Sequence, residues 1–153
     1  MTKVHEALLA LGLLVGLASS AIAGPEVDAV VPTAGIERCP PPPEKREFCV
    51  HDGDTLWLPI VSEDDDRMKM RLYAIDTPEI GAQWTCGGAD EIALGQIAAN
   101  RLVEILREVG TVYIEMHGPD KFDRKLVTLR DQQGRDLGMV LVDEGLAVIY
   151  GDA

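Results

Sequence analysis

The spacing of apolar and polar residues changes several times along this chain, and each change marks an element. Residues 47–50 and 55–61 read as strand, parted by the turn Asp52-Gly53-Asp54. Residues 68–75 alternate strictly: Met68, Met70, Leu72 and Ala74 share one face, Lys69, Arg71, Tyr73 and Ile75 the other. The period then lengthens, predicting a helix over 90–108. From there Leu94, Ile97, Ala98, Leu102, Ile105 and Val109 recur at helical spacing, and Gly110 suits the stop. Residues 111–116 and 125–130 return to strand, with a turn around Gln132-Gln133-Gly134. Asp136 can cap a short helix running to Glu144, Gly145 ends it, and residues 146–150 form a last strand. Strands first, a helix inserted and strands after it predict an α+β fold, mainly β: a small barrel capped by helices.

The chain begins in another manner. Lys3 precedes an almost wholly apolar run from Leu8 to Ala18, and Ser19-Ser20-Ala21-Ile22-Ala23 ends in small-x-small spacing. The expectation is a signal peptide over 1–23, cleaved after Ala23, and a periplasmic or secreted protein. An uncleaved anchor is the alternative, the run being at the short end of the roughly 17–25 residues that span a bilayer. No other segment is long and apolar enough to cross, so a monomer without stable membrane association is expected after cleavage. Residues 24–46 contain Cys39-Pro40-Pro41-Pro42-Pro43, and proline runs favour extended polyproline II over packing. They are expected to form a poorly ordered leader, passive or a stiff spacer. The folded domain then covers 47–150, with room for one core and no internal repeat.

Charge sets a constraint. The formal net charge is −12 at pH 7, whereas nucleic-acid binders usually carry a basic footprint. Long-range repulsion of DNA follows, but catalysis needs only a local positive cleft, which Arg71, Lys121, Arg124 and Lys125 could supply. The run Glu63-Asp64-Asp65-Asp66 is most simply a solvated hairpin loop. A calcium site there would lack the glycine and terminal Glu of an EF-hand loop. Three cysteines in a secreted chain imply one disulfide and one thiol left over. A Cys49–Cys86 bond is favoured, tying the loop around Cys86 to the first strand, with Cys39 free or paired between chains. His51 and His117 read as surface residues near turns.

The chemistry lies in turns. His51-Asp52-Gly53-Asp54-Thr55 puts carboxylates at one strand end, and Arg71 with Ile75-Asp76-Thr77-Pro78-Glu79 puts carboxylates, an arginine and a rigid corner at another. Such a set suits a hard cation gripping a phosphate. Asp120-Lys121-Phe122-Asp123-Arg124 supplies a later arginine, and Val142-Asp143-Glu144-Gly145-Leu146-Ala147 follows. In order and compatible spacing, these four motifs resemble the staphylococcal nuclease (thermonuclease) family over roughly residues 47–150. Cys86 followed by Glu91, Leu94-Gly95, Ala98 and Arg101-Leu102 is similar to its secreted bacterial branch. The resemblance implies an OB-fold, a five-stranded barrel capped by helices, that hydrolyses DNA and RNA with Ca²⁺. It implies Asp54 and Asp76 as calcium carboxylates, the Thr77 carbonyl as a further ligand, and Glu79 as general base. Arg71 and Arg124 then hold the scissile phosphate. Lys121, Phe122 and Tyr150 fall where substrate contacts are expected.

Two departures stand out. Phe122 replaces the family's usual tyrosine and loses a hydroxyl. Asp123 replaces a glycine, tolerates left-handed backbone better than most residues, and sets a negative charge beside Arg124. Two other classes stay open: a non-catalytic OB-type binding module, and a small secreted interaction domain suited to the acidic charge.

Overall fold

The computed structural model describes residues 26–42, 44, 46–60, 68–83 and 86–151. In chain order the elements are β1 (Ala29–Pro32), β2 (Glu37–Arg38), β3 (Cys49–Val50), β4 (Thr55–Leu58), β5 (Met68–Leu72), β6 (Ile75–Asp76), α1 (Gly88–Val109), β7 (Thr111–Pro119), β8 (Lys125–Arg130), α2 (Leu137–Asp143) and β9 (Val148–Ile149). The alternation of 68–72 buries Met70 and Leu72 and leaves Lys69 exposed. Ala74 breaks it: its φ of 59° turns the chain, so Ile75 goes into the core instead of following Tyr73 to the surface. Asp136 caps α2, its side chain accepting from the Gly138 and Met139 N–H groups. The signal segment over 1–23 and the acidic run Glu63–Asp66 lie outside the described residues.

The strands form one mixed seven-stranded sheet, ordered β1-β7-β8-β5-β4-β3-β2, and a two-stranded ladder of β6 with β9. Within it, β3-β4-β5-β8-β7 keeps an OB-type order, including the parallel pairing of β5 with β8. The expected closed five-stranded barrel is corrected in one respect. β3 does not pair with β7; β2 extends one edge and β1 the other. Both added strands come from the supposed leader, and only residues 33–36 connect them. So short a connection spans less than about 20 Å, so the sheet must curl until its two edges nearly meet. The segment is thus built into the fold: Val31 and Ile36 are buried in the core. Thr33 donates its hydroxyl to the Leu106 carbonyl at 2.6 Å, and Arg107 Nε donates to the Ile36 carbonyl at 2.7 Å.

The disulfide is also corrected. Parallel pairing sets Glu37 opposite Cys49, which brings Cys39 within 4.7 Å (Cα–Cα) of Cys49, and these two are bonded. Cys86 is an exposed thiol.

Helix α1 buries most of the expected stripe, with Ala98, Leu102 and Ile105 in the interior and Val109 packed against it, but leaves the two large residues at its start outside. Leu94 and Ile97 are 50% and 53% exposed, while Gly95, Ala98, Ala99, Leu102 and Leu106 are buried. Close approach decides the orientation. A Cβ at Gly95 would stand 2.5 Å from the Pro78 carbonyl oxygen, and one at Gly53 would stand 2.8 Å from the Ala98 methyl. Small residues therefore let the helix rest directly on both motif-bearing loops. Among the described residues no helix is long and apolar enough to cross a membrane.

Two substitutions test this packing. Ile36→Ala should lower the unfolding free energy in urea by about 2–5 kcal/mol, the usual cost of emptying a buried aliphatic site. A passive leader would show no change. Gly95→Ala should destabilise by about 1–3 kcal/mol through overpacking. An exposed helix interior would gain about 1 kcal/mol from the same change, so the sign of the shift reads the contact.

Candidate active site

Arg71 joins the first two motifs. It lies opposite Thr55 in the β4–β5 ladder, which sets it beside the turn between β3 and β4. Its Nη1 donates to Asp54 Oδ1 at 2.8 Å and its Nη2 to Asp76 Oδ1 at 2.5 Å. Asp54 is buried, and both its oxygens accept further bonds. Oδ1 accepts from the Thr55 hydroxyl at 3.0 Å, and Oδ2 accepts from the Thr77 N–H at 3.1 Å. Asp76 differs, with 41% of its side chain open to solvent. The ladder of β6 with β9 fixes its backbone by setting Asp76 opposite Val148.

The turn that carries Asp54 is locally determined. Asp52 Oδ1 accepts the Asp54 N–H at 3.2 Å, and the His51 N–H donates to the Thr55 carbonyl at 2.9 Å. Gly53 is needed because Thr77 Cγ2 would stand 2.7 Å from a Cβ there. On the other side, Gly95 of α1 supports the backbone of Pro78 and Glu79. Glu79 is half-buried in that loop.

Burial and like charge act together on the carboxylates. Burial, reinforced by the Asp52 charge, pushes Asp54 up to about 7, although Arg71 and the Thr77 N–H oppose the rise. Glu79 is raised by burial first and then by the charges of Asp54 and Asp76. Burial draws the Arg71 guanidinium down, but Asp54 and Asp76 outweigh it and hold its pKa above the ordinary value.

Among the described residues no three His, Cys, Asp or Glu side chains form a group that could hold a metal ion. Asp54 and Asp76 are instead a carboxylate pair bridged by Arg71, with the Thr77 N–H bonded to Asp54. All-oxygen donors suit a hard cation that retains water. The chemistry of Asp54 fits as well, because a cation would favour the charged form that burial penalises. Beside Asp76 is a cleft of about 300 Å³ whose lining includes Thr77, Pro78, Leu146, Ala147 and Val148.

Among the described residues no hydrogen bond or ion pair joins the third motif to this cluster. Arg124 bonds to Asp120, with Nε on Oδ2 at 2.7 Å, Nη2 at 2.6 Å, and its backbone N–H on Oδ1 at 2.9 Å. Asp123 takes the left-handed conformation expected of it, with φ at 61°. In the β5–β8 ladder Leu126 lies opposite Arg71, so Arg124 is two residues from that position. Phe122 is 67% exposed under the cations of Lys121 and Arg124. Tyr150 is 62% exposed, and its N–H donates to the Ala74 carbonyl at 2.9 Å, beside the second motif. The fourth motif is tied to α1 by Glu144, which accepts two bonds from Arg101 at 2.8 and 2.9 Å.

Some neighbours of the site went unread in the sequence. Arg38, in the supposed leader, donates to the carbonyls of Val50 and His51. The β-branched pair Val30-Val31 before a turn was the available signal for strand there. Gly95 inside a helix was the signal for close contact. Tyr73 and His117 stack with centroids 4.2 Å apart, and His117 Nε2 is 2.8 Å from the Thr128 hydroxyl. That histidine sits in β7 and contacts its neighbours across the sheet.

A family model described as staphylococcal nuclease homologue matches residues 69–153. No curated protein matches the chain. The matched stretch includes Arg71, Asp76, Thr77, Glu79 and Arg124, and Asp54, which precedes it, is bonded to Arg71. As the match spans more than half of the sequence, the chain belongs to the staphylococcal nuclease family.

Proposed function

We propose that this protein is a secreted, Ca²⁺-dependent nuclease that hydrolyses phosphodiester bonds of DNA and RNA with little sequence selectivity. The carrying observation is Arg71 shared between the carboxylates of Asp54 and Asp76, close enough to Glu79 for both to raise its pKa. Asp54, Asp76 and the Thr77 carbonyl would hold the cation. When bound, Ca²⁺ supplies Lewis-acid stabilisation of charge on the phosphate.

The chain's own groups do the rest. Arg71 offers a planar fork to two phosphate oxygens in exchange for the carboxylate oxygens it now holds. One such donor to a developing oxyanion is worth roughly 3–4 kcal/mol of barrier. Glu79 takes the proton of the attacking water, and its raised pKa makes it a stronger base than an exposed glutamate. Pro78 and Gly95 aim it, the first by fixing the backbone and the second by letting α1 support that backbone. Arg124 is pre-set by Asp120 on a tight turn and presents its remaining N–H groups to the same phosphate. The cleft beside Asp76 gives the chain of a nucleic acid a place to lie.

Export through the segment 1–23 completes the reading. The Cys39–Cys49 disulfide supports it, because such bonds persist in oxidising compartments.

Purified protein should degrade plasmid DNA and RNA with millimolar Ca²⁺ and stop when a chelator is added. Intact DNA at saturating Ca²⁺ would sink the enzyme reading and leave a binding module. Glu79→Gln should lower kcat by about 10²–10⁴-fold, the usual worth of a general base, with nucleotide affinity nearly unchanged. An equal loss of affinity would make Glu79 a structural residue.

A further inference from the structure

The segment 26–42 lies outside the stretch that matches the family, yet it touches the first motif directly. We propose that Arg38 is a positioning residue: held in place by the Cys39–Cys49 bond, it locks the backbone leading into the Asp54 turn to helix α1, and so sets Asp54 for cation binding. The inference rests on the reading of Asp54 as a cation ligand.

All three guanidinium nitrogens of Arg38 are used. Nε donates to the Val50 carbonyl at 3.3 Å and Nη2 to the His51 carbonyl at 2.7 Å. Nη1 donates to Gln96 Oε1 at 3.1 Å and to Asn100 Oδ1 at 2.9 Å. The first pair of acceptors immediately precedes Asp52-Gly53-Asp54. The second pair flanks Ala98, whose methyl stands 2.8 Å from where a Cβ on Gly53 would be. The turn is therefore gripped twice by the same turn of helix, once through Gly53 and once through Arg38. A guanidinium can make this span because its donors are fixed in one plane; a lysine ammonium has a single centre.

The disulfide explains why Arg38 stays there. β2 is two residues long and pairs only with β3, too short a ladder to hold alone. The bond one residue after Arg38, with the Cys39 N–H on the Val50 carbonyl at 2.8 Å, fastens it. The consequence reaches the site because Asp54 is bonded through both its oxygens, so a moved turn breaks several bonds at once.

The test compares wild type with Arg38→Met, which keeps the stem and removes the fork, with Arg38→Lys, and with Gln96→Ala/Asn100→Ala. Cys39→Ser/Cys49→Ser removes the fastening. Three readouts are taken: Tb³⁺ affinity by luminescence (Tb³⁺ standing in for Ca²⁺), kcat and KM on a single-stranded oligonucleotide, and the thermal midpoint. Arg38→Met should lower Tb³⁺ affinity and kcat about tenfold, the low end for losing a group that orients a metal ligand, with KM within about twofold. Arg38→Lys should recover only part of this. The helix and cysteine pairs should move both quantities in the same direction, and they carry the comparison should Arg38→Met not fold. A lower thermal midpoint with unchanged Tb³⁺ affinity and kcat would overturn the proposal, leaving Arg38 a brace. Wild type that binds Tb³⁺ but cuts nothing would sink the nuclease reading alone. Wild type that binds no Tb³⁺ would overturn this one.

Discussion

Helix α1 lies so close to the two motif-bearing loops that nothing larger than hydrogen fits at position 53 or 95. That contact converts sequence-distant residues into one site. Through Gly53 and Ala98 the helix limits how far the Asp54 turn can rise, and through Gly95 it supports the backbone of Pro78 and Glu79. A packed interior transmits such displacements instead of absorbing them, so the two loops cannot move independently. At its first turns the helix leaves Leu94 and Ile97 in solvent while Gly95 and Ala98 face inward, and Leu102 and Ile105 of the same apolar stripe are still buried.

Held in this frame, the carboxylates would repel one another if Arg71 were not between them. Burying an ion pair is expensive, and its attraction seldom returns more than the desolvation cost. Here the pair also carries bonds from Thr55 and from the Thr77 N–H, so Asp54 accepts three bonds and keeps one lone pair on Oδ2. Even so, the pKa of Asp54 rises to about 7. The cluster is poised, satisfied in its hydrogen bonds yet short of positive charge. That imbalance suits a site completed by a cation and a phosphate. Arg124 shows the contrasting solution, an exposed-turn arginine matched one-to-one with Asp120.

Much of this was readable from spacing. The strand over Lys125–Arg130, the cap at Asp136, the stop at Gly110 and the left-handed Asp123 follow from local rules that act within a few residues. Arg71 and Asp76, which the structure bonds together, lie with Glu79 in one short motif. What failed was non-local. No periodicity distinguishes Leu94 from Ala98 as the buried residue, because the choice depends on a loop forty residues away in sequence. Cys39 was taken for a leader residue because of the prolines that follow it, while the strand pairing that brings it to Cys49 involves only two residues. Composition misjudged the residues before the proline run, which form β1 and β2.

Those residues alter what counts as the functional unit. The family match begins at residue 69, but Asp54 and the sheet edge formed by β2 and β3 precede it. An OB-type sheet that does not pair its own edge strands leaves two rows of backbone groups open, and open edges invite pairing with other chains. Here one segment answers both edges, β1 on β7 and β2 on β3, and its connection is tied to α1 through Thr33 and Arg107. The same α1 carries Gly95 and Ala98. Covering the two sheet edges and holding the helix that rests on the loops therefore fall to the same segment, and the proposed cation site would depend on it.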